Sequence, residues 1–184
     1  LTATPTLYFS ASKYEADGGI NLTASHNPKE YNGFKLVREK VIPLSKDKGI
    51  EEIKEVALSG NFIKSEKEGK VVPKNINDDY VSENSIPEVF DFKVVVDTGN
   101  SVSGVLVPQM LKNTNLIHIF SEVDGNFPDH EPDPSKEPNI KALKEKVIAE
   151  KADLGIALDG DGDRIVFIDE KGETVPPDLI SVLV

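Results

Sequence analysis

Three apolar runs, 92–97 (FKVVVD), 116–120 (LIHIF) and 153–159 (DLGIALD), constrain this chain most. They are rich in branched side chains, too short for core helices, and separated by stretches with helical periodicity. Residues 102–113 follow the turn Thr98-Gly99-Asn100, and residues 138–151 carry Ile140, Leu143, Val147 and Ile148 as an apolar stripe behind Pro138. Strand–helix–strand alternation of this kind predicts a parallel or mostly parallel sheet with helices on its faces. RIVFID (164–169) reads as a fourth strand after a tight turn. SEVDGNFPDHEPDPSKEP (121–138) is too rich in proline for a strand or helix interior and reads as a surface loop.

The first part of the chain is also α/β. TPTLYFS (4–10) reads as a strand, SASKYEA (10–16) as a short helix, and INLTAS (20–25) as a strand ending at Ser25. HNPKEYNG is a turn, with Asn-Pro breaking a helix and Asn32-Gly33 suited to positive backbone angles. FKLV (34–37) resumes the sheet, REKVIPLS continues its edge, and 46–58 has helical spacing. Residues 59–78, SGNFIKSEKEGKVVPKNIND, are weakly periodic and rich in Lys, Glu, Asn and Gly, and so read as a linker with the domain boundary near residue 70. The expected organisation is 1–70 as part of a first domain, 71–172 as a second, and 173–184 as the start of a third, with PPDLISVLV entering a helix.

Composition excludes several functions. Without cysteine there is no disulfide, thiolate catalysis or Cys-ligated zinc, and a cytoplasmic location is expected. A net charge of −11 provides no basic surface for nucleic acid or an anionic membrane, and no apolar run approaches a membrane span. The opening LTATPTLYFS lacks the basic start and long apolar stretch of a secretory leader. Position 1 is Leu rather than Met, as in a processed or trimmed chain.

Directly after the 153–159 run, residues 159–164 read DGDGDR. Alternation lets Asp159, Asp161 and Asp163 point the same way, and the glycines let the backbone curl. Carboxylates so crowded repel unless a cation sits among them, and an all-oxygen set suits Mg2+ or Ca2+. The alternative is an ordinary polar turn. An EF-hand loop also opens D-x-D-x-D, but it requires Gly at the sixth position, where Arg164 stands. An aspartyl-phosphate phosphatase, with Asp159 as nucleophile, fits the strand-then-D-x-D pattern.

Residues 23–28, TASHNP, place Ser25 at a strand end with His26 beside it. A serine projected from such a turn serves as nucleophile, as phosphate carrier, or simply as a turn residue. No G-x-S-x-G elbow surrounds it, so a hydrolase triad is unsupported. Lys35 is a surface charge unless the turn folds it back beside Ser25, where it becomes a proton acceptor or phosphate partner.

Together, ADGGINLTASHNPKEYNGFKL (16–36), SEVDGNFPDHEPDPSKEPNI (121–140) and DLGIALDGDGDRIVFIDEKG (153–172) resemble the α-D-phosphohexomutase family of phosphomannomutases and phosphoglucomutases. The resemblance implies an isomerase, an intramolecular phosphotransferase acting on hexose phosphate through a hexose bisphosphate. It implies that Ser25 carries the phosphate and that Asp159, Asp161 and Asp163 hold Mg2+, with a phosphoserine oxygen completing the site. Arg164 matches the arginine that contacts the transferring phosphoryl group, and His26 and Lys35 match residues that hold the phosphoserine and assist proton transfer. The family has four domains, of which this sequence resembles the latter half of the first and all of the second. The remaining domains are therefore expected partners, and residues 1–184 alone should turn over substrate poorly. The YNGFK run looks more like the bifunctional phosphomannomutase/phosphoglucomutase group than the phosphoglucosamine mutases. A non-catalytic metal-binding module is the alternative outside enzyme chemistry.

Overall fold

The computed structural model describes residues 1–183. Helix α1 (Thr4–Lys13) leads into strands β1 (Gly18–Leu22) and β2 (Phe34–Arg38), a 3-10 turn at Glu39–Val41, the short strand β3 (Ile42–Pro43) and helix α2 (Ile50–Ser59). Helix α3 (Asn77–Asn84) precedes β4 (Lys93–Asp97), α4 (Ser103–Met110), β5 (Asn115–Ile119), α5 (Glu137–Glu150), β6 (Leu154–Leu158), β7 (Ile165–Ile168) and α6 (Pro177–Leu183). No described helix is long and apolar enough to cross a membrane.

The second sheet has the order β5-β4-β6-β7, with β4 parallel to both β5 and β6 and β7 antiparallel at the edge. The centre of strand β4, Val94–Val96, is apolar because both its faces are covered. Val95 packs with Ile140, Leu143 and Val147 of α5, and Val94 and Val96 pack with Val107 of α4. Gly155 lets α5 lie close, since a Cβ there would sit 2.7 Å from Val147 Cγ2. Asp97 pairs with Ala157, so the segments leaving the carboxyl ends of β4 and β6 emerge side by side. Parallel sheets form their ligand crevices at such an edge.

The first sheet, β1-β2-β3, is antiparallel throughout. Helix α1 covers one face, with Leu7 seated over Gly19 and Val37. On the other face Ile20, Leu22 and Phe34 remain largely exposed, and Leu22 and Phe34 are directly paired.

Three expectations change. Residues 4–10 are helical rather than extended. Ala3, Leu7 and Ala11 recur every four residues and all bury, and Pro5 suits a first turn, so spacing outweighs the β-leaning Thr, Tyr and Phe. The stretch read as a linker, 59–78, gives way at its end to α3, which is docked by an edge-to-face contact of Tyr80 on Phe9. The proline-rich loop is not all surface, because Pro132, Asp133 and Pro134 are buried.

That loop is fastened to β4 by His130. Its Nε2 donates to Asp97 Oδ2 at 3.1 Å and its Nδ1 donates to the Glu131 carbonyl at 2.8 Å, with Phe120 edge-on to the ring. With acceptors at both nitrogens the imidazolium is favoured. Burial opposes the charge, but the bonds to Asp97 and Glu131, with the nearby Asp129 charge, outweigh it and raise the pKa above 6.5. The clip therefore stabilises the fold fully below the unfolded value of 6.5, and the contribution is lost as pH rises through the higher folded value. His118 runs the other way, since burial lowers its pKa. The difference between the parent and His130→Gln removes that opposing slope. The gap between the urea midpoints of the parent and His130→Gln should shrink as pH is raised above 6.5; a gap independent of pH would contradict the charged clip.

Candidate metal and phosphate site

The β1–β2 connection is closed by the Thr23 N–H donating to the Gly33 carbonyl at 2.9 Å. Within it Ser25 has φ 56, the left-handed region, with its N–H tied to Thr23 Oγ1 at 2.8 Å. For a residue with a Cβ this conformation costs roughly 1–2 kcal/mol. The result is a hydroxyl projected away from the sheet towards the loop after β6.

There Ser25 Oγ donates to Asp159 Oδ2 at 3.2 Å, across 134 residues of sequence. His26 Nδ1 lies 3.3 Å from the same hydroxyl oxygen. Asp159 is fully buried, and its Oδ1 accepts the backbone N–H groups of Asp163 and Arg164, each at 3.0 Å. Asp161 is 2% exposed; its Oδ2 takes the Thr4 hydroxyl at 2.5 Å and Lys35 Nζ at 2.8 Å. Lys35 also pairs with the exposed Asp163. Arg164 is half exposed at the rim, its Nε 3.8 Å from Asp159 Oδ2. The structure therefore gathers all seven residues singled out in the sequence.

The electrostatics are those of an anion cluster short of positive charge. Burial, with Asp161 and Asp163 adding to it, raises the Asp159 pKa even though the Arg164 backbone N–H opposes the rise. Burial works against ionisation of Asp161 too, but Lys35 and Thr4 outweigh it and lower the pKa. Lys35 is correspondingly raised: burial opposes its charge, and its bonds to Asp161 and Asp163 prevail. One carboxylate oxygen from each aspartate lies within 4.8 Å of the other two. Asp161 Oδ1 is buried without any hydrogen-bond partner, a costly state for a carboxylate that a cation would relieve. The donor set fits a hard divalent cation.

Several supporting contacts had no signal in the sequence. Gly160 is required by contact, because a Cβ there would lie 2.2 Å from the Ser25 carbonyl oxygen. Its N–H donates to the Pro132 carbonyl at 3.2 Å, so the proline-rich loop backs the acidic one. Thr4 reaches the acidic loop from α1, Asn21 of β1 reaches Thr4, and nothing local marks either for that role. An apolar cavity of about 290 Å³, bordered by Tyr80, Leu106, Met110 and Ile165, lies behind Gly162 and contains no charged group, so the acidic loop remains the candidate site.

The comparisons agree with this geometry. Residues 1–64 match the family model for phosphoglucomutase/phosphomannomutase alpha/beta/alpha domain I, and residues 74–172 match that for domain II. The chain belongs to the phosphoglucomutase/phosphomannomutase family. Among curated relatives, the Phosphomannomutase/phosphoglucomutase of Pseudomonas aeruginosa is 39% identical over 199 aligned residues, covering 100% of this chain and 40% of the relative. The Phosphomannomutase of Vibrio cholerae is 36% identical, covering 95% and 40%. A crystal structure of a Phosphoglucomutase/phosphomannomutase family protein from Burkholderia thailandensis superposes with a TM-score of 0.88 at 33% identity, covering 97% of this chain and 41% of that one. The chain thus spans about 40% of the length of the relatives it matches.

Gly160→Ala should force the Ser25 loop away from the acidic loop. Expected is a loss of about tenfold in Mn2+ affinity with far-UV circular dichroism retained. Gly125→Ala, which meets open space, should change neither. Equal Mn2+ affinities for the two variants would contradict the contact.

Proposed function

We propose that this chain supplies the phosphate-carrying and cation-binding loops of a hexose phosphate mutase, with Ser25 as the phosphorylated residue. The observation that carries this reading is the approach of the Ser25 hydroxyl to the buried Asp159, beside an acidic trio that keeps one buried oxygen unpaired.

On this reading the phosphoryl group passes from Ser25 Oγ to a hydroxyl of a hexose phosphate. The P–Oγ bond breaks as the new P–O bond to the sugar forms, giving a hexose bisphosphate. That intermediate turns and returns its other phosphate to Ser25, so the phosphate moves between the 1- and 6-positions. Such transfers need in-line placement and neutralisation of the peripheral phosphoryl oxygens more than covalent assistance. Asp159, Asp161 and Asp163, with a phosphoserine oxygen, would hold Mg2+, which contributes Lewis-acid charge neutralisation at the phosphoryl group. Lys35, kept as an ammonium by Asp161 and Asp163, contributes positive charge beside it. Arg164, at the exposed rim, is free to swing onto the transferring group. His26 is within reach of Ser25 Oγ to give it a proton as the P–Oγ bond breaks, while the sugar hydroxyl releases its proton to solvent, and both transfers reverse when the phosphate returns. The sugar itself is gripped mainly by segments corresponding to the rest of the relatives' length, so residues 1–184 alone turn over slowly.

The geometry disfavours Asp159 as an aspartyl-phosphate nucleophile. It is fully buried behind Ser25, whose hydroxyl stands at its Oδ2, so an incoming phosphoryl group meets Ser25 first.

Exposure to glucose 1,6-bisphosphate and Mg2+, followed by phosphopeptide mapping, tests the assignment. The phosphate should sit on Ser25 and be absent from Ser25→Ala. Phosphate on Asp159 would replace the mutase with a phosphatase mechanism, and no phosphate at all would leave a non-catalytic metal-binding module.

A further inference from the structure

The two carboxylate oxygens of Asp161 are in opposite states. Oδ2 is saturated by the Thr4 hydroxyl at 2.5 Å and Lys35 Nζ at 2.8 Å, while Oδ1 is buried with no partner. The polarity of the Thr4 contact is set one step further out, where Asn21 Nδ2 donates to Thr4 Oγ1 at 2.8 Å. An amide N–H can only donate, so it occupies a lone pair of the Thr4 oxygen and leaves the hydroxyl proton for Asp161. The relay therefore runs in one direction, from Asn21 through Thr4 to Asp161.

The relay is held rigidly. Thr4 is fully buried, and its own N–H donates to the Asp161 carbonyl at 2.8 Å, so one residue grips both backbone and side chain of the aspartate. Asn21 stands opposite Lys35 in the β1–β2 ladder. The same pair of strands thus delivers Lys35 and the support for Thr4 to a single oxygen.

We infer that Thr4 and Asn21 are positioning residues that commit Asp161 Oδ2 to the protein, so that Asp161 offers a cation Oδ1 alone. The inference rests on the reading of the acidic trio as a cation site. Its consequence is selectivity. A carboxylate limited to one oxygen suits a small octahedral ion, whereas two-oxygen chelation suits Ca2+, which accepts more ligands at longer distances. Freeing Oδ2 should weaken the small ion and spare Ca2+.

The test is Mn2+ titration of the full chain by electron paramagnetic resonance, with Ca2+ measured by competition and Ser25 unphosphorylated. Thr4→Val keeps nearly the same shape but removes the hydroxyl. Mn2+ affinity should fall about tenfold, the lower end of what loss of a supporting hydrogen bond costs a metal site, while Ca2+ affinity stays within about twofold. Thr4→Ser should restore the parent values for both ions. If Thr4→Val does not fold, Asn21→Ala carries the test, with Mn2+ weakened about threefold and Ca2+ unmoved. Equal weakening of both ions would reduce Thr4 to a packing residue, and unchanged Mn2+ binding or failure of Thr4→Ser to rescue would overturn the inference. A parent chain that binds neither ion would remove the cation site itself, and the inference with it. That outcome is distinct from one in which the parent binds and the variants do not discriminate.

Discussion

Crowding of like charge at the end of a buried strand is the constraint on which the rest of the structure depends. Asp159 and Asp161 are each almost wholly removed from water, and Asp163 follows two residues on. Unrelieved, such a set costs several kcal/mol per buried ion. The protein distributes the relief. Two backbone N–H groups hold one oxygen of Asp159, Ser25 holds the other, and Thr4 and Lys35 hold one oxygen of Asp161. One oxygen remains without a partner, and it marks where positive charge must come from outside the chain.

Much of the surrounding fold follows from bringing partners to that loop. Helix α1 begins where it does because the Thr4 N–H, one of the donors a helix start leaves unpaired, finds the Asp161 carbonyl. The β1–β2 turn carries a strained Ser25 against Gly160, so closely that only glycine fits. The loop through Pro132 and Asp133, clipped to β4 by His130, supports Gly160 from the other side. Elements far apart in sequence thus meet at the carboxyl edge of the second sheet, where the proposed phosphoserine and cation would share one site.

What was legible in the sequence follows the range of the interactions involved. The strands 92–97, 116–120 and 153–159 are local patterns and appear as read, as does the stripe of α5 through Ile140, Leu143 and Val147, whereas Ile148 is left exposed on the helix flank. So do the aspartates, whose alternation is itself the signal. Helix α1 was hidden because its Thr and aromatic residues favour strands, and only the four-residue spacing of Ala3, Leu7 and Ala11 reveals it. Helix α3 was hidden because its surface is polar and its anchors lie some seventy residues earlier, Tyr80 on Phe9, Asp79 on Tyr14 and Glu83 on Lys13. The roles of Thr4, Asn21 and Gly160 arise wholly from tertiary contact, and no local pattern encodes them. Ser25, His26 and Lys35 stood out individually, but their convergence on the acidic loop is a property of the fold.

The central claim is that Ser25 and the three aspartates share one cation. Phosphorus NMR of the chain phosphorylated at Ser25 tests it directly, with Mn2+ added in a small fraction of an equivalent. If the phosphate oxygen and the carboxylates bind the same ion, the phosphoserine resonance should broaden beyond detection, and chelation should restore it. A resonance that stays sharp while Mn2+ is demonstrably bound to the protein would place the ion away from Ser25 and contradict the account.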